Sequence, residues 1–258
     1  MASRFELSII IPAWNEEGRL EKSLLALTGW LSTAPFRTEV IVVVEESSDT
    51  TLAIAQRFAQ PGSAFKVIAK KHEGKGSAVK HGVLASQGEI VLFMDADLAT
   101  SLDEVLRFTS IMRRDPNLAM LIGSRVEGRG SQARVKRELW RGLMTRIFSK
   151  VVLSWILRMP FKDSQCGFKA FRRKAALELF EMLETPHYGF DLDILLLAQQ
   201  RELIIASLPV QWTAVAGSHV RVFRDGWVLL SHAWGLEKRI SALMSRRSSD
   251  RTDRKQAA

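Results

Sequence analysis

Between Leu7 and Gly123, short β-branched runs alternate with longer segments whose apolar residues recur every three or four positions. The runs Leu7–Ala13, Val40–Val44, Phe65–Ala69, Ile90–Met94 and Ala119–Gly123 are predicted strands. The intervening Glu16–Trp30, Thr50–Ala59, Gly76–Ser86 and Leu102–Arg113 are predicted helices. This rhythm predicts an α/β fold: a mainly parallel sheet needs crossovers, and the crossover helices pack back onto both of its faces. Ligands of such sheets bind beyond the carboxyl ends of the strands. Trp14, Asn15, Glu45, Glu46, Asp95 and Asp97 all stand at those ends and are expected to line one crevice.

Past Gly123 the pattern predicts an amphipathic helix at Leu139–Leu157, a loop at Pro160–Phe171, helices at Lys174–Leu183 and Phe190–Gln200, and a strand at Leu203–Gln211. Residues 1–225 are expected to form one domain. Residues 226–246 follow as an amphipathic helix, with Leu229, Leu236, Ile240 and Leu243 on one stripe, and 247–258 as a basic, disordered tail. A chain of 258 residues, 47% of them hydrophobic, can bury a core without disulfides, and its single cysteine, Cys166, leaves none to form. A reducing compartment is therefore expected. The opening residues enter a strand-like run without the flank, apolar core and cleavage site of a secretory signal, so the chain is expected to begin as mature protein. No stretch approaches the ~18 to 20 apolar residues of a spanning helix.

Lysine and arginine outnumber aspartate and glutamate 37 to 28, a net charge of +9, which calls for polyanionic partners: nucleic acid, anionic lipid or phosphorylated substrate. Charge alone does not choose among them. Its distribution is uneven, with one cluster between Arg129 and Arg158 and another from Arg246 to Lys255, each beside tryptophan-bearing apolar segments.

The chemistry concentrates in GEIVLFMDADLATSLDEV, residues 88–105. Two carboxylates two positions apart at a strand end can hold a hard divalent cation and a sugar hydroxyl. Such a cation, completed by water and phosphate oxygens, suits a nucleotide diphosphate whose departure leaves charge to neutralise. The plain alternative is two solvated acids in a loop. Upstream, HEGKGS places Lys75 between glycines, where the backbone can approach an anion while the side chain adds charge. A P-loop is excluded, since Ala69 stands at its first glycine and Gly76 where serine or threonine must follow the lysine.

Taken in order, SIIIPAWNEEGRL, HEGKGSAVKHGVLASQGEIVLFMDADLAT, GSR at 123–125, DSQCGFKAF at 163–171 and FDLDILLLA at 190–198 resemble the motifs of glycosyltransferase family 2, within it the polyprenyl-phosphate (dolichyl-phosphate) glucosyltransferases. The resemblance covers about residues 7–220 and implies a GT-A (Rossmann-like) fold that binds a nucleotide sugar with Mg2+ or Mn2+ and inverts at the anomeric carbon. It implies donor contacts from Pro12, Ala13, Asn15, Glu17, Lys75 and Gly76, and a metal site at Asp95 and Asp97, with Asp97 on the metal and Asp95 toward ribose or base. Strand two departs from the family: Glu45, Glu46, Ser47, Ser48 and Asp49 replace DDGS and its following aspartate, and a Glu45 carboxylate would have to meet the uracil N–H through its longer side chain. DADLATS is closer to the glucosyl than to the mannosyl type, DADLQHP.

On the acceptor side the resemblance implies that Arg125, Arg137 and Arg141 bind a lipid phosphate, which guanidinium forks suit. Arg137 and Arg141 can equally be a solvated helix face. Asp163 and Gln165 are expected near the transferred sugar, Asp163 as base, as hydroxyl-orienting group or as a structural turn bond. Asp191 and Asp193 line the sugar or acceptor site or simply charge a helix start. Cys166 is expected to pack rather than react.

The expected function is hexose transfer, glucose from UDP-glucose, to polyprenyl phosphate on the cytoplasmic face of a membrane by a peripheral enzyme, with nucleic acid not a partner. Mannosyl transfer, a soluble acceptor requiring a true general base, and a basic lipid- or nucleic-acid-binding module of the same fold are the alternatives.

Overall fold

The computed structural model describes residues 5–125, 161–187 and 189–213. In chain order the elements are β1 (Phe5–Ala13), α1 (Leu20–Leu31), β2 (Thr38–Glu45), α2 (Thr51–Phe58), β3 (Phe65–Lys70), α3 (Lys75–Ala85), β4 (Gly88–Met94), α4 (Leu102–Arg114) and β5 (Met120–Ser124). Then follow β6 (Phe168–Arg172), α5 (Arg173–Met182), α6 (Phe190–Gln200) and β7 (Ile205–Pro209). The seven strands form one sheet in the order β3-β2-β1-β4-β6-β5-β7. All pairings are parallel except those of β6, which runs antiparallel to both β4 and β5.

The sheet has two apolar faces because side chains alternate along each strand. Leu7, Ile9 and Ile11 of β1, with Val40, Val42 and Val44 of β2, join Leu24 of α1, Ile54 of α2 and Phe108 of α4 in one core. Ile10, Ile41, Val43, Val91 and Phe93 point the other way, against Val79 of α3, Phe180 of α5 and Leu195 of α6. Every residue of β2 is buried, as a central strand covered on both sides requires. Helix α4 is the most fully signalled locally: Ser101 Oγ accepts from the Asp103 amide, Asp103 and Glu104 occupy the first turn, and Arg113 and Arg114 the last.

The five early strands and six of the predicted helices are present within a few residues of their expected bounds. Two differences are physical. Helix α1 begins at Leu20 rather than Glu16, because Asn15 turns the chain with a φ of 52° and Glu16 and Glu17 bind the segment that follows β2. Part of the expected Pro160–Phe171 loop is β6, in register with β4 from Met94 opposite Phe168 to Ile90 opposite Arg172. The helices expected at Leu139–Leu157 and Trp227–Met244 lie outside the described residues.

Candidate active site

The carboxyl ends of β1 to β5 and the amino end of the antiparallel β6 share one edge of the sheet. The strand order turns back between β1 and β4, so the loops leaving these two strands diverge around a crevice, the usual ligand position in an α/β sheet.

The β1 side of the crevice is stitched to the end of β2. Pro12 and Ala13 close β1 in register with Val43 and Val44. The amides of Asn15, Glu16 and Glu17 then donate to Ser47 Oγ (3.1 Å), Thr51 Oγ1 (2.7 Å) and Asp49 Oδ2 (3.1 Å). In return Asn15 Oδ1 accepts from the Ser48 amide at 2.9 Å, and Glu17 Oε2 from the amide and hydroxyl of Thr50 at 3.1 and 3.0 Å. The side chains of Asn15 and Glu17 thus fix the outline of the crevice. The unusual Glu-Glu-Ser-Ser-Asp segment supplies Ser47, Ser48 and Asp49, and the two threonines that follow it supply the rest.

Glu45, at the end of β2, is buried and turned into the loop before α3. Its carboxylate accepts from the amides of Glu73 (2.9 Å) and Gly74 (2.8 Å) and from Lys70 Nζ (3.3 Å), while the other oxygen meets His72 Nδ1 at 3.0 Å. Burial opposes its charge, but the two amides and Lys70 outweigh burial and hold the carboxyl below its ordinary range. The His72 ring in turn stacks on Trp14 with centroids 4.4 Å apart and planes 16° from parallel. Trp14 is partly exposed, and the stacked pair forms an aromatic plate at the ends of β1 and β3.

The same loop delivers Lys75, whose Nζ lies 2.5 Å from Asp95 Oδ1. Its flanking glycines answer to packing. Gly74 has a φ of 116°, and a Cβ there would sit 2.6 Å from His187 Nδ1. At Gly76 a Cβ would meet the Thr185 carbonyl at 2.7 Å and Phe190 Cβ at 2.8 Å.

Asp95 and Asp97 follow β4. Asp97 Oδ1 accepts from the Ala99 amide at 3.0 Å, and Asp97 Oδ2 lies 4.0 Å from Arg19 Nη1 across the crevice. Asp95 Oδ2 overlies Gly167 so closely that a Cβ there would fall inside the carboxylate. Both side chains keep an open face, 39% for Asp95 and 20% for Asp97. Among the described residues no three His, Cys, Asp or Glu side chains converge on a metal position. Two accessible carboxylates with the rest of the shell left to water and phosphate form a donor set that fits Mg2+ or Mn2+.

On the β5–β6 side the acids are not open. Asp163 is buried and binds Arg125 three times, through the backbone amide (3.0 Å), Nε (2.8 Å) and Nη2 (2.9 Å), and it also accepts from the Gln165 amide. Burial opposes its charge, but Arg125 prevails and keeps the carboxyl below its usual range. Asp191, in the first turn of α6, is buried against Lys169 Nζ at 2.5 Å, and that lysine also donates to the Cys166 carbonyl at 2.7 Å. Here burial wins and raises the Asp191 carboxyl, with Lys169 only partly offsetting it. Asp193 is buried and accepts from Thr185 Oγ1 at 2.6 Å. Gln165 Nε2 is buried with no acceptor among the described residues. Cys166 is wholly buried, and burial pushes its thiol up to about 12, which leaves it a packing residue.

The crevice edge therefore gathers Pro12, Ala13, Asn15, Glu17, Lys75, Gly76, Asp95 and Asp97, with Arg125, Asp163, Gln165 and Asp191 along the β5–β6 side; Glu45, expected to meet the donor base, is instead buried with its carboxylate committed to the loop before α3. Arg137 and Arg141 lie outside the described residues. Three features had no role in the sequence reading: Arg19, Gly167 and Lys169. A charged residue amid the apolar GFKAF run was the one signal for Lys169. For the other two only spatial proximity reveals the role.

Comparison with known proteins identifies the family and the fold. The model of the family Glycosyl transferase family 2 matches residues 8–180. Dolichyl-phosphate beta-glucosyltransferase of Dictyostelium discoideum is 34% identical over 84% of this chain and 69% of its own length. The Drosophila melanogaster and Homo sapiens proteins of the same name are 35% and 33% identical, each over 84% of this chain and 70% of their own lengths. In fold the chain is similar to glucosyl-3-phosphoglycerate synthase from Mycobacterium tuberculosis in complex with Mn2+, UDP and phosphoglyceric acid. The TM-score is 0.59 at 19% identity, over 95% of this chain and 78% of that one. The chain belongs to glycosyl transferase family 2, has the GT-A fold, and is a glycosyltransferase.

Proposed function

We propose that the protein transfers glucose from UDP-glucose, with inversion, to a polyprenyl (dolichyl) phosphate. One observation carries the choice of acceptor. Among the described residues, Asp163, Asp191 and Asp193, the carboxylates able to serve as base beside the acid pair, are all buried and engaged by Arg125, Lys169 and Thr185. A hydroxyl acceptor needs a base within reach of its proton. A phosphate monoester arrives already ionised and needs only positioning and relief from repulsion. The names of the relatives support the same acceptor and sugar.

In this reading a phosphate oxygen of the acceptor bonds to the anomeric carbon as the bond from that carbon to the β-phosphate oxygen of UDP breaks. The nucleotide lies over the β1 and β2 ends, against Pro12, Ala13 and the Trp14–His72 plate, in the outline fixed by Asn15 and Glu17. Glu45 acts through the loop it holds, which presents Lys75 and Gly76 to the diphosphate. Mg2+ or Mn2+ held by Asp95 and Asp97 would neutralise charge gathering on the departing diphosphate. Arg125, held by Asp163, keeps positive charge beside the sugar and joins Arg137 and Arg141 in binding the acceptor phosphate, while Gln165 and Asp191 line that side. The helix of residues 226–246 attaches the domain, residues 1–225, to the cytoplasmic face of the membrane, with the basic tail near anionic headgroups. Among the described residues no helix is long and apolar enough to cross a membrane.

The test is a panel of radiolabelled nucleotide sugars incubated with the protein and a short polyprenyl phosphate, followed by organic extraction. Label from UDP-glucose should enter the organic phase, and Asp97→Asn or EDTA should suppress it nearly completely. Arg137→Ala and Arg141→Ala should raise KM for the lipid phosphate more than for the donor. Extraction of label from GDP-mannose instead, or transfer only to soluble acceptors, would overturn the assignment.

A further inference from the structure

We infer that Arg19 is a donor-binding residue whose Nη1 reaches a diphosphate oxygen across the crevice between β1 and β4. This rests on the donor being a nucleotide diphosphate sugar, as proposed above, but not on the identity of its base or sugar.

Three observations point to it. First, Arg19 stands on the loop after β1 and faces the loop after β4 at the place where the strand order turns back, which is where α/β sheets bind ligands. Second, its guanidinium is half used and held in place. Nε and Nη2 bind the Glu16 carboxylate, Nε to Oε2 and Nη2 to Oε1 at 2.9 Å, whereas Nη1 is buried without a hydrogen-bond acceptor among the described residues. Its nearest acid oxygen, Asp97 Oδ2, is 4.0 Å away, beyond hydrogen-bond reach. Asp97 itself is oriented by the Ala99 amide, so it does not require the arginine.

Third, the residue is poorly suited to its local structure. Arg19 is the N-cap of α1 and makes no side-chain capping bond, and it sets a cation against the positive end of the helix. Serine, threonine, aspartate or asparagine would serve the helix better. Arg19 is nonetheless held there by its two hydrogen bonds to the Glu16 carboxylate. A fork fixed by one carboxylate, with two N–H groups of Nη1 still to donate and a pair of acids opposite, matches an anion that brings its own cation. A nucleotide diphosphate on a divalent metal is such a ligand. Lys75 on Asp95 and Arg19 facing Asp97 then give the diphosphate a positive group from each of two loops.

The test measures binding rather than turnover. Dissociation constants for UDP, UMP and uridine are determined by calorimetry for the wild type, Arg19→Ala and Arg19→Lys, with Mn2+ and with EDTA, alongside melting temperatures. Loss of a charged hydrogen bond to phosphate should weaken UDP about tenfold or more, by the ordinary size of such bonds. Uridine binding should be unchanged, UMP affected less than UDP, and the lysine variant intermediate. The loss should persist in EDTA. Equal weakening of all three ligands would make Arg19 a structural residue of the loop, and a loss that vanishes in EDTA would mean that it acts only through Asp97. Either result overturns the inference. Should the alanine variant melt early, Arg19→Lys and Arg19→Gln supply the same comparison. A wild type that prefers GDP to UDP would sink the donor assigned above and leave this test intact with GDP and GMP.

Discussion

Asp163 and Asp191 are buried at the same edge of the sheet, yet burial has opposite outcomes for them. Arg125 gives Asp163 a fork and a backbone amide and holds its carboxyl low, whereas Lys169 gives Asp191 one bond and leaves it raised. The consequences for stability have opposite signs. The contribution of Asp163 is complete above the ordinary carboxyl range and is lost as pH falls through its lowered folded value. That of Asp191 runs the other way: stability declines as pH rises from the ordinary range toward its raised folded value. Urea unfolding between acid and neutral pH should therefore show a shallower acid loss in Asp163→Asn, together with a cost of about 3 to 5 kcal/mol at pH 7 from the stranded Arg125. Asp191→Asn should instead flatten the decline above the ordinary carboxyl range. Neither behaviour was legible in the sequence, which marked both residues as site acids. The partner that decides their charge lies 38 positions away for Asp163 and 22 for Asp191.

Among the elements, legibility followed the side-chain period. Strands β1, β2 and β4 are read from their apolar runs because both faces are covered, and α4 from its stripe and its cap. β6 escaped because it has five residues, follows Gly167 and carries Lys169 at a buried position where a strand should be apolar. The lysine fits only because Asp191 and the Cys166 carbonyl await its ammonium. The loop between β3 and α3 shows the reverse case, a motif read for its chemistry that is also built as a structural unit. Glu45 ties two of its amides, and Glu45→Gln keeps the shape while discarding the charge. Each charge-assisted bond lost should cost about 1 kcal/mol. Hydrogen exchange at the Glu73 and Gly74 amides should accelerate, and UDP binding should weaken through Lys75. Unchanged exchange at these amides would show that the loop holds its form without Glu45. Because burial is outweighed and the Glu45 carboxyl is depressed, this tie is kept above the ordinary glutamate range and released as pH falls through the lowered value.

At the scale of the molecule, the sheet order and its two cores agree with the alternation seen in the sequence, and the parallel strands bring their carboxyl ends to one edge as expected. The membrane attachment proposed for residues 226–246 is tested at this scale. A chain ending at Arg224 should keep its melting temperature, fail to float with anionic liposomes and lose activity on long-chain acceptors more than on short soluble ones. Flotation equal to that of the full chain would place attachment elsewhere. The Arg125–Asp163 pair has a wider meaning. It joins the residue just after β5 to one that leads into β6, so the stretch between them departs from and returns to a single clasp beside the acid pair. An insertion anchored at one point can change in length and composition while the nucleotide half keeps its geometry. In the reading proposed above, in which Arg137 and Arg141 receive the acceptor, one donor-binding body serves different acceptors by exchanging the sequence that joins the two halves of this clasp.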